Sequence, residues 1–107
     1  MSMGRWVRVG ETKDVPVGEG RGYLVEGQDV GVFNVNGSFF AMDNICPHRG
    51  APLADGRVEG GSIVCPWHGW AFDVKNACLA MDPNTKQKKY PVEVRGEVLF
   101  VDLESAA

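Results

Sequence analysis

Two short segments restrict what this chain can fold into more than anything else in it. They are Cys46-Pro47-His48-Arg49-Gly50 and Cys65-Pro66-Trp67-His68-Gly69-Trp70. Each offers one thiol and one imidazole, as Cys-x-His in the first and Cys-x-x-His in the second, and sixteen residues, 49–64, separate His48 from Cys65. Two loops joined by a span of that length can close on one metal centre, so the fold has to bring them together. The order of the donors narrows the choice. A zinc finger usually presents its cysteines as one pair and its histidines as another. Here each loop supplies one of each, so a centre can be sorted into a cysteine side and a histidine side. A tetrahedral Cys2His2 zinc site remains chemically sound with the same four residues.

The flanks read as strands and turns. Met3–Val9 alternates with apolar weight at Trp6, Val7 and Val9 and predicts a first strand. Glu11–Gly22 holds Pro16 and three glycines and reads mainly as loop, followed by a short strand Tyr23–Glu26. Asp29–Val35 and Ser38–Asp43 flank Asn36-Gly37, the dipeptide that suits a type I′ hairpin because both positions tolerate positive φ. That hairpin delivers the chain to Cys46. Gly50–Asp55 is turn-rich, Arg57–Val64 predicts one strand leading into Cys65, and Trp70–Val74 leaves the second loop. Asn76–Leu79 suits a short strand or bulge and Met81–Lys86 a surface loop. Lys89–Arg95 and Glu97–Leu103 form a last hairpin about Arg95-Gly96, with Val92, Val94, Val98, Phe100 and Val101 as core candidates. No segment carries a sustained 3.6-residue period. The expectation is an all-β, antiparallel sandwich or small barrel.

Composition excludes some functions. The 107 residues suit one small domain, 1–107, with little room for a second. A formal net charge of −3 argues against nucleic acid or an anionic membrane as partner. There is no run of about 18 apolar residues to span a bilayer, and the first residues lack the apolar core of a signal peptide. Three cysteines make no even disulfide framework. A reducing, cytoplasmic location is the expectation.

With those residues in view, the pattern resembles the Rieske iron–sulfur motif. The agreement covers the four ligands in order, the Pro after each Cys and the Gly after each loop. In that family two thiolates hold one iron of a [2Fe–2S] cluster and two imidazoles hold the other. The resemblance implies that Cys46 and Cys65 bind the inner iron and His48 and His68 the outer one, with one cluster per chain. It also implies a two-loop cluster-binding subdomain, about residues 44–72, on the β framework. Two neutral imidazoles in place of two thiolates make it easier to add an electron, which places such clusters at roughly −150 to +300 mV against about −400 mV for plant-type ferredoxins.

High-potential members of the family carry an extra disulfide-bonded Cys in each loop, and a Ser and a Tyr whose hydroxyls bond cluster sulfur. The matching positions here are Ala51 and Trp67, and Trp70 and Phe72. All four groups are absent, which implies a potential at the low end, roughly −150 mV. The chain thus resembles the ferredoxins of bacterial aromatic-ring dioxygenase systems, and equally the small subunit of NAD(P)H-dependent assimilatory nitrite reductase. A Rieske oxygenase needs a second, mononuclear iron held by further His and carboxylate groups, but the chain has only two His, both in the motif. No GxGxxG or P-loop is present, and Gly18-Glu19-Gly20-Arg21-Gly22 lacks the strand–helix setting of a nucleotide site. The expectation is an electron carrier and not an enzyme. It would serve a flavin reductase and a terminal oxygenase, or a nitrite reductase large subunit, docking near His48 and His68. A zinc-stabilised interaction module is the alternative from a different class.

Other residues read more plainly. Pro47, Gly50, Pro66 and Gly69 shape the loops, and turn chemistry alone would also account for them. Trp70 reads as core, while Trp67 suits either the core or a docking face. Cys78 reads as a small buried hydrophobe, and Arg49 as a salt-bridge partner. Lys86-Gln87-Lys88-Lys89 reads as a solvated edge.

Overall fold

The computed structural model describes residues 5–45, 52–66, 70–74, 78–79 and 82–104, with backbone only for Cys78–Leu79 and Asp82–Lys86. Among these, the regular structure is strands and two 3₁₀ turns, Thr12–Asp14 and Leu53–Asp55. The strands are β1 Trp6–Glu11, β2 Gly20–Val25, β3 Gln28–Val35, β4 Ser38–Asp43, β5 Arg57–Glu59 and β6 Ser62–Val64. They continue with β7 Ala71–Asp73, β8 Cys78–Leu79, β9 Asp82–Lys86, β10 Lys89–Tyr90, β11 Val92–Arg95 and β12 Val98–Asp102.

These strands form three antiparallel sheets, ordered β1-β12-β11, β10-β4-β3-β2 and β5-β6-β7-β8-β9. The middle sheet is shared by two cores. Successive side chains of a strand point to opposite faces, so β3 sends Val30 and Val32 one way and Phe33 the other, all buried. Val30 and Val32 join Val15, Ala41, Tyr90, Leu99 and Val101, packing the middle sheet on the β1-β12-β11 sheet. Phe33 and Met42 join Leu53, Ile63, Cys65, Phe72 and Val74, packing its other face on the five-stranded sheet. The all-β antiparallel expectation holds. The five-stranded unit is an insertion between β4 and β10, which pair directly (Lys89 with Met42, Tyr90 with Ala41).

The expected Asn36-Gly37 hairpin is present, with φ of 55° and 94°. Elsewhere the boundaries differ. Gly20–Gly22, read as loop, is strand: Gly20 pairs with Phe33, Arg21 with Val32 and Gly22 with Gly31. The glycine at 20 serves close approach, because a Cβ there would lie 2.5 Å from the Phe33 ring. Glu26, read as strand, sits in a left-handed turn with Gly27, at φ of 50° and 83°. Arg57–Val64 is two strands that turn at Gly60-Gly61, both at positive φ, a dipeptide suited to a two-residue hairpin.

The stretch read as a surface loop, Met81–Lys86, contains β9. It is an edge strand, where the missing N–H of Pro83 leaves no interior ladder bond unmade. Lys89–Arg95 breaks at Pro91, so that β10 joins the middle sheet and β11 pairs with β12. Of the core candidates near the carboxyl end, Val101 is fully buried, Val92, Val98 and Phe100 are half-buried, and Val94 is 45% exposed. Leu99 takes the place beside Val101, two residues away on the same face.

Candidate metal centre

The first ligand loop starts from a fixed strand. In β4, Ala41 faces one core and Met42 the other, both fully buried. The Asn44 N–H donates to Asp29 O at 2.9 Å, and Ile45 bridges to Pro52. Leu53 N–H then donates to Asn44 O at 2.6 Å. Ile45 and Pro52, the described residues that flank 46–51, therefore lie side by side. Pro52 runs into the Leu53–Asp55 turn and Gly56, whose N–H donates to Leu53 O at 3.0 Å.

The second loop is closed in the same way. Val64 pairs with Ala71 across β6 and β7, and Cys65 N–H donates to Trp70 O at 2.7 Å. Cys65 is 2% exposed and shares its apolar cluster with Met42, Leu53, Ile63 and Phe72. Leu53 follows the first ligand segment and Cys65 begins the second, so one core cluster holds the described flanks of both. Trp70 packs against that cluster, its ring 6.5 Å from Phe72 and tilted by 57°. The reading of Trp70 as core agrees with this.

Of the four candidate ligands, Cys65 is described; Cys46, His48 and His68 lie outside the described residues, as do Pro47, Arg49, Gly50, Ala51, Trp67 and Gly69. The Cys78 side chain also lies outside them. The described part suits an iron–sulfur centre. Cys65 brings a soft sulfur donor to the start of the segment that its N–H bond to Trp70 O spans, with apolar neighbours on its protein side that exclude water.

Two buried amides were not legible as site residues. Asn44 is buried between Asp29 and Ala54, and Gln87 is buried against the carbonyls of Asp43 and Ile45. Gln87 had been hidden in a lysine-rich stretch that reads as solvated; Lys88 is exposed, its Nζ 5.6 Å from the Tyr90 ring centre. Behind them the Tyr90 hydroxyl lies 2.8 Å from Asp43 Oδ1 and 3.0 Å from Gln28 Oε1. Burial, and then the bond to Asp43, raise the Tyr90 pKa well above its ordinary 10.0.

Comparison with known proteins adds to this geometry. Residues 5–93 match the Rieske [2Fe–2S] domain family. The chain is 35% identical over 100 residues to the ferredoxin component of a naphthalene 1,2-dioxygenase system from Pseudomonas aeruginosa, covering 92% of this chain and 96% of that one. Among solved structures, it is similar to the ferredoxin in a complex of reduced oxygenase and oxidised ferredoxin of carbazole 1,9a-dioxygenase. That match has a TM-score of 0.79 and 31% identity, covering 91% and 92% of the two chains. It is also similar to a Mycobacterium tuberculosis chain assigned as an NADH-dependent nitrite reductase small subunit, with TM-score 0.85, 25% identity, and 94% and 96% covered.

Proposed function

This chain belongs to the Rieske [2Fe–2S] domain family, and from that membership we propose that it is the ferredoxin of a multicomponent oxygenase system. It takes single electrons from a flavin-containing reductase and passes them to a terminal aromatic-ring oxygenase. When bound, the cluster supplies one-electron oxidation and reduction. Cys46 and Cys65 would hold the inner iron and His48 and His68 the outer one, within a single domain of residues 1–107 whose cluster-binding region is about 44–72. The single observation that carries this reading is the placement of Cys65. It is buried at the start of a loop closed by the Trp70 carbonyl, in the same core cluster as Leu53 at the end of the other loop.

The residues around the loops have defined tasks. Leu53, Met42 and Phe72 keep water from the protein side of Cys65. Trp70 and Phe72 bring no hydroxyl to the second loop, which supports a potential near the low end of the Rieske range. Imidazoles on the outer iron would leave their second nitrogens toward a partner, so reductase and oxygenase would dock near His48 and His68. Ile45, 43% exposed beside the first loop, would add apolar area to that face. Among the described residues no helix is long and apolar enough to cross a membrane, and we place the carrier in the cytoplasm with neither membrane nor nucleic acid as partner. A second reading, the small subunit of an NAD(P)H-dependent nitrite reductase, is favoured by the fold similarity to the mycobacterial chain.

An absorption spectrum with metal analysis, followed by EPR after dithionite reduction, tests the centre. The expected result is about two iron per chain and a rhombic signal with an average g below that of all-thiolate clusters. One zinc per chain after attempted anaerobic reconstitution would leave the interaction-module reading. Partner choice follows from binding. Weak, salt-sensitive turnover with an oxygenase fits the shuttle, whereas tight association with a siroheme subunit fits the nitrite reductase.

A further inference from the structure

The chain leaves the middle sheet at Asp43–Ile45 and returns at Gln87–Lys88, and these two crossings lie side by side because Asp43 N–H donates to Lys88 O at 2.8 Å. Two buried amides occupy this neck. Gln87, 5% exposed, donates through Nε2 to Asp43 O at 3.0 Å and to Ile45 O at 2.8 Å, the carbonyls on either side of Asn44. Asn44 Nδ2 donates to Asp29 Oδ1 at 3.0 Å, and its Oδ1 accepts the Ala54 N–H at 2.8 Å. Its own N–H and C=O are bonded to Asp29 O and to the Leu53 N–H. One amide therefore grips the start of the first ligand loop, and the other ties that start to its end.

The sheet is shaped for this arrangement. Gly22 and Gly31 are direct cross-strand partners in β2 and β3. A Cβ at Gly22 would lie 2.8 Å from Asn44 Nδ2, and one at Gly31 would lie 2.9 Å from Asn44 Oδ1. The paired glycines leave a bare patch on which the Asn44 amide rests. Glycine weakens a strand interior, so two facing each other at this point indicate that the seat matters to the fold.

We propose that Asn44 and Gln87 are positioning residues for the cluster: they fix both ends of the first ligand loop, and through it set the geometry in which Cys46 and His48 meet the iron. The proposal rests on the assignment of Cys46 and His48 as ligands. Cys46 directly follows Ile45, whose carbonyl Gln87 holds, so freedom at that carbonyl passes to the thiolate without an intervening residue. Groups that orient metal ligands from behind act on retention by about 10- to 100-fold. A loop held at both ends presents one ligand geometry, and a loop released at its neck samples several.

The test compares Gln87→Leu and Asn44→Asp with Asn34→Ala in the full-length, cluster-loaded protein. Asn34 is a matched control: a buried amide on β3 of the middle sheet, bonded to Val15 O and the Gly37 N–H at the hairpin end away from Asn44. All three should lower the melting temperature. Only Gln87→Leu and Asn44→Asp should broaden or shift the EPR g values, move the midpoint potential, and speed iron release to a chelator by about tenfold or more. If Gln87→Leu does not fold, the near-isosteric Gln87→Glu carries the same expectation. Wild-type g values and release rates in the Gln87 and Asn44 variants would overturn the proposal, as would equal changes in Asn34→Ala. A wild-type protein without a Rieske signal would instead sink the electron-carrier reading on which the proposal rests.

Discussion

Gly56 lies so close to the Val64 carbonyl that a Cβ at position 56 would stand 1.9 Å from its oxygen. The contact is backbone against side chain, so no rotamer can relieve it. It sits where β5 begins beside the end of β6, directly before Cys65. Gly56→Ala must push β5 away from β6, and overpacking of this kind destabilises by about 1–3 kcal/mol or more. The comparison variant is Gly60→Ala. A Cβ at Gly60 meets nothing within 4 Å, but its φ is +54°, a strain of about 1–2 kcal/mol for an L side chain. Urea unfolding should therefore rank Gly56→Ala at least as destabilising as Gly60→Ala. Gly56→Ala alone should also lower cluster content, because its displacement is next to Cys65.

Tyr90 makes stability fall in alkali. Its hydroxyl is buried beside Asp43, and the neutral phenol is the form that the site favours, so its folded-state pKa lies above the unfolded value of 10.0. A phenol with a raised pKa contributes stability that is complete below about pH 10. That stability is lost as pH rises from 10 toward the folded-state pKa, because the unfolded chain ionises first. Denaturation curves at pH 8 to 11 should show this fall in the wild type. In Tyr90→Phe the slope should be reduced, and stability at pH 8 should be lower by about 1 kcal/mol for the lost hydrogen bond. An unchanged slope in Tyr90→Phe would assign the alkaline transition to another group.

The parts of the fold that were legible in the sequence rest on local rules. Asn36-Gly37 must turn because both positions take positive φ, and Ser38–Asp43 returns antiparallel to β3 as its hairpin partner. What was not legible depends on distant partners. Gly20 and Gly22 look like loop residues until Phe33 and Asn44 occupy the space where their Cβ atoms would be. Gln87 looks solvated among lysines until the return of the chain to β10 buries it against Asp43 and Ile45. The four candidate ligands were proposed from a spacing that coordination chemistry imposes, and of them the described residues include Cys65. The amides that grip the first loop have no such spacing, since Asn44 and Gln87 meet only through the topology.

The assignment of thiolate and imidazole sides can be separated by substitution. Cys65→Ser replaces a buried soft donor by a hydroxyl, and is expected to abolish the iron–sulfur absorption while leaving a folded chain by circular dichroism. His68→Cys combined with His48→Cys offers four thiolates instead. If these positions hold the outer iron, the double variant should keep a [2Fe–2S] cluster whose potential falls toward about −400 mV. Its average g should rise toward that of all-thiolate clusters. Retention of the wild-type potential in the double variant would remove His48 and His68 from the ligand set.

Phe72 tests how the potential is set. It is fully buried in the cluster of side chains around Cys65, its backbone pairs with Ile63, and it stands where high-potential members of the family carry a Tyr. A hydroxyl added there has two possible fates. Without an acceptor it is a buried unsatisfied group, and Phe72→Tyr should lose about 1–3 kcal/mol of stability with no change in potential. Bonded to cluster sulfur, it stabilises the added electron, so the potential should rise while the stability loss is offset. We expect the second outcome, because β7 follows directly from the second loop and Phe72 packs in the same core as Cys65. Protein-film voltammetry and urea unfolding on the same preparation distinguish the two, and a stability loss at constant potential would place the Phe72 ring edge away from the cluster.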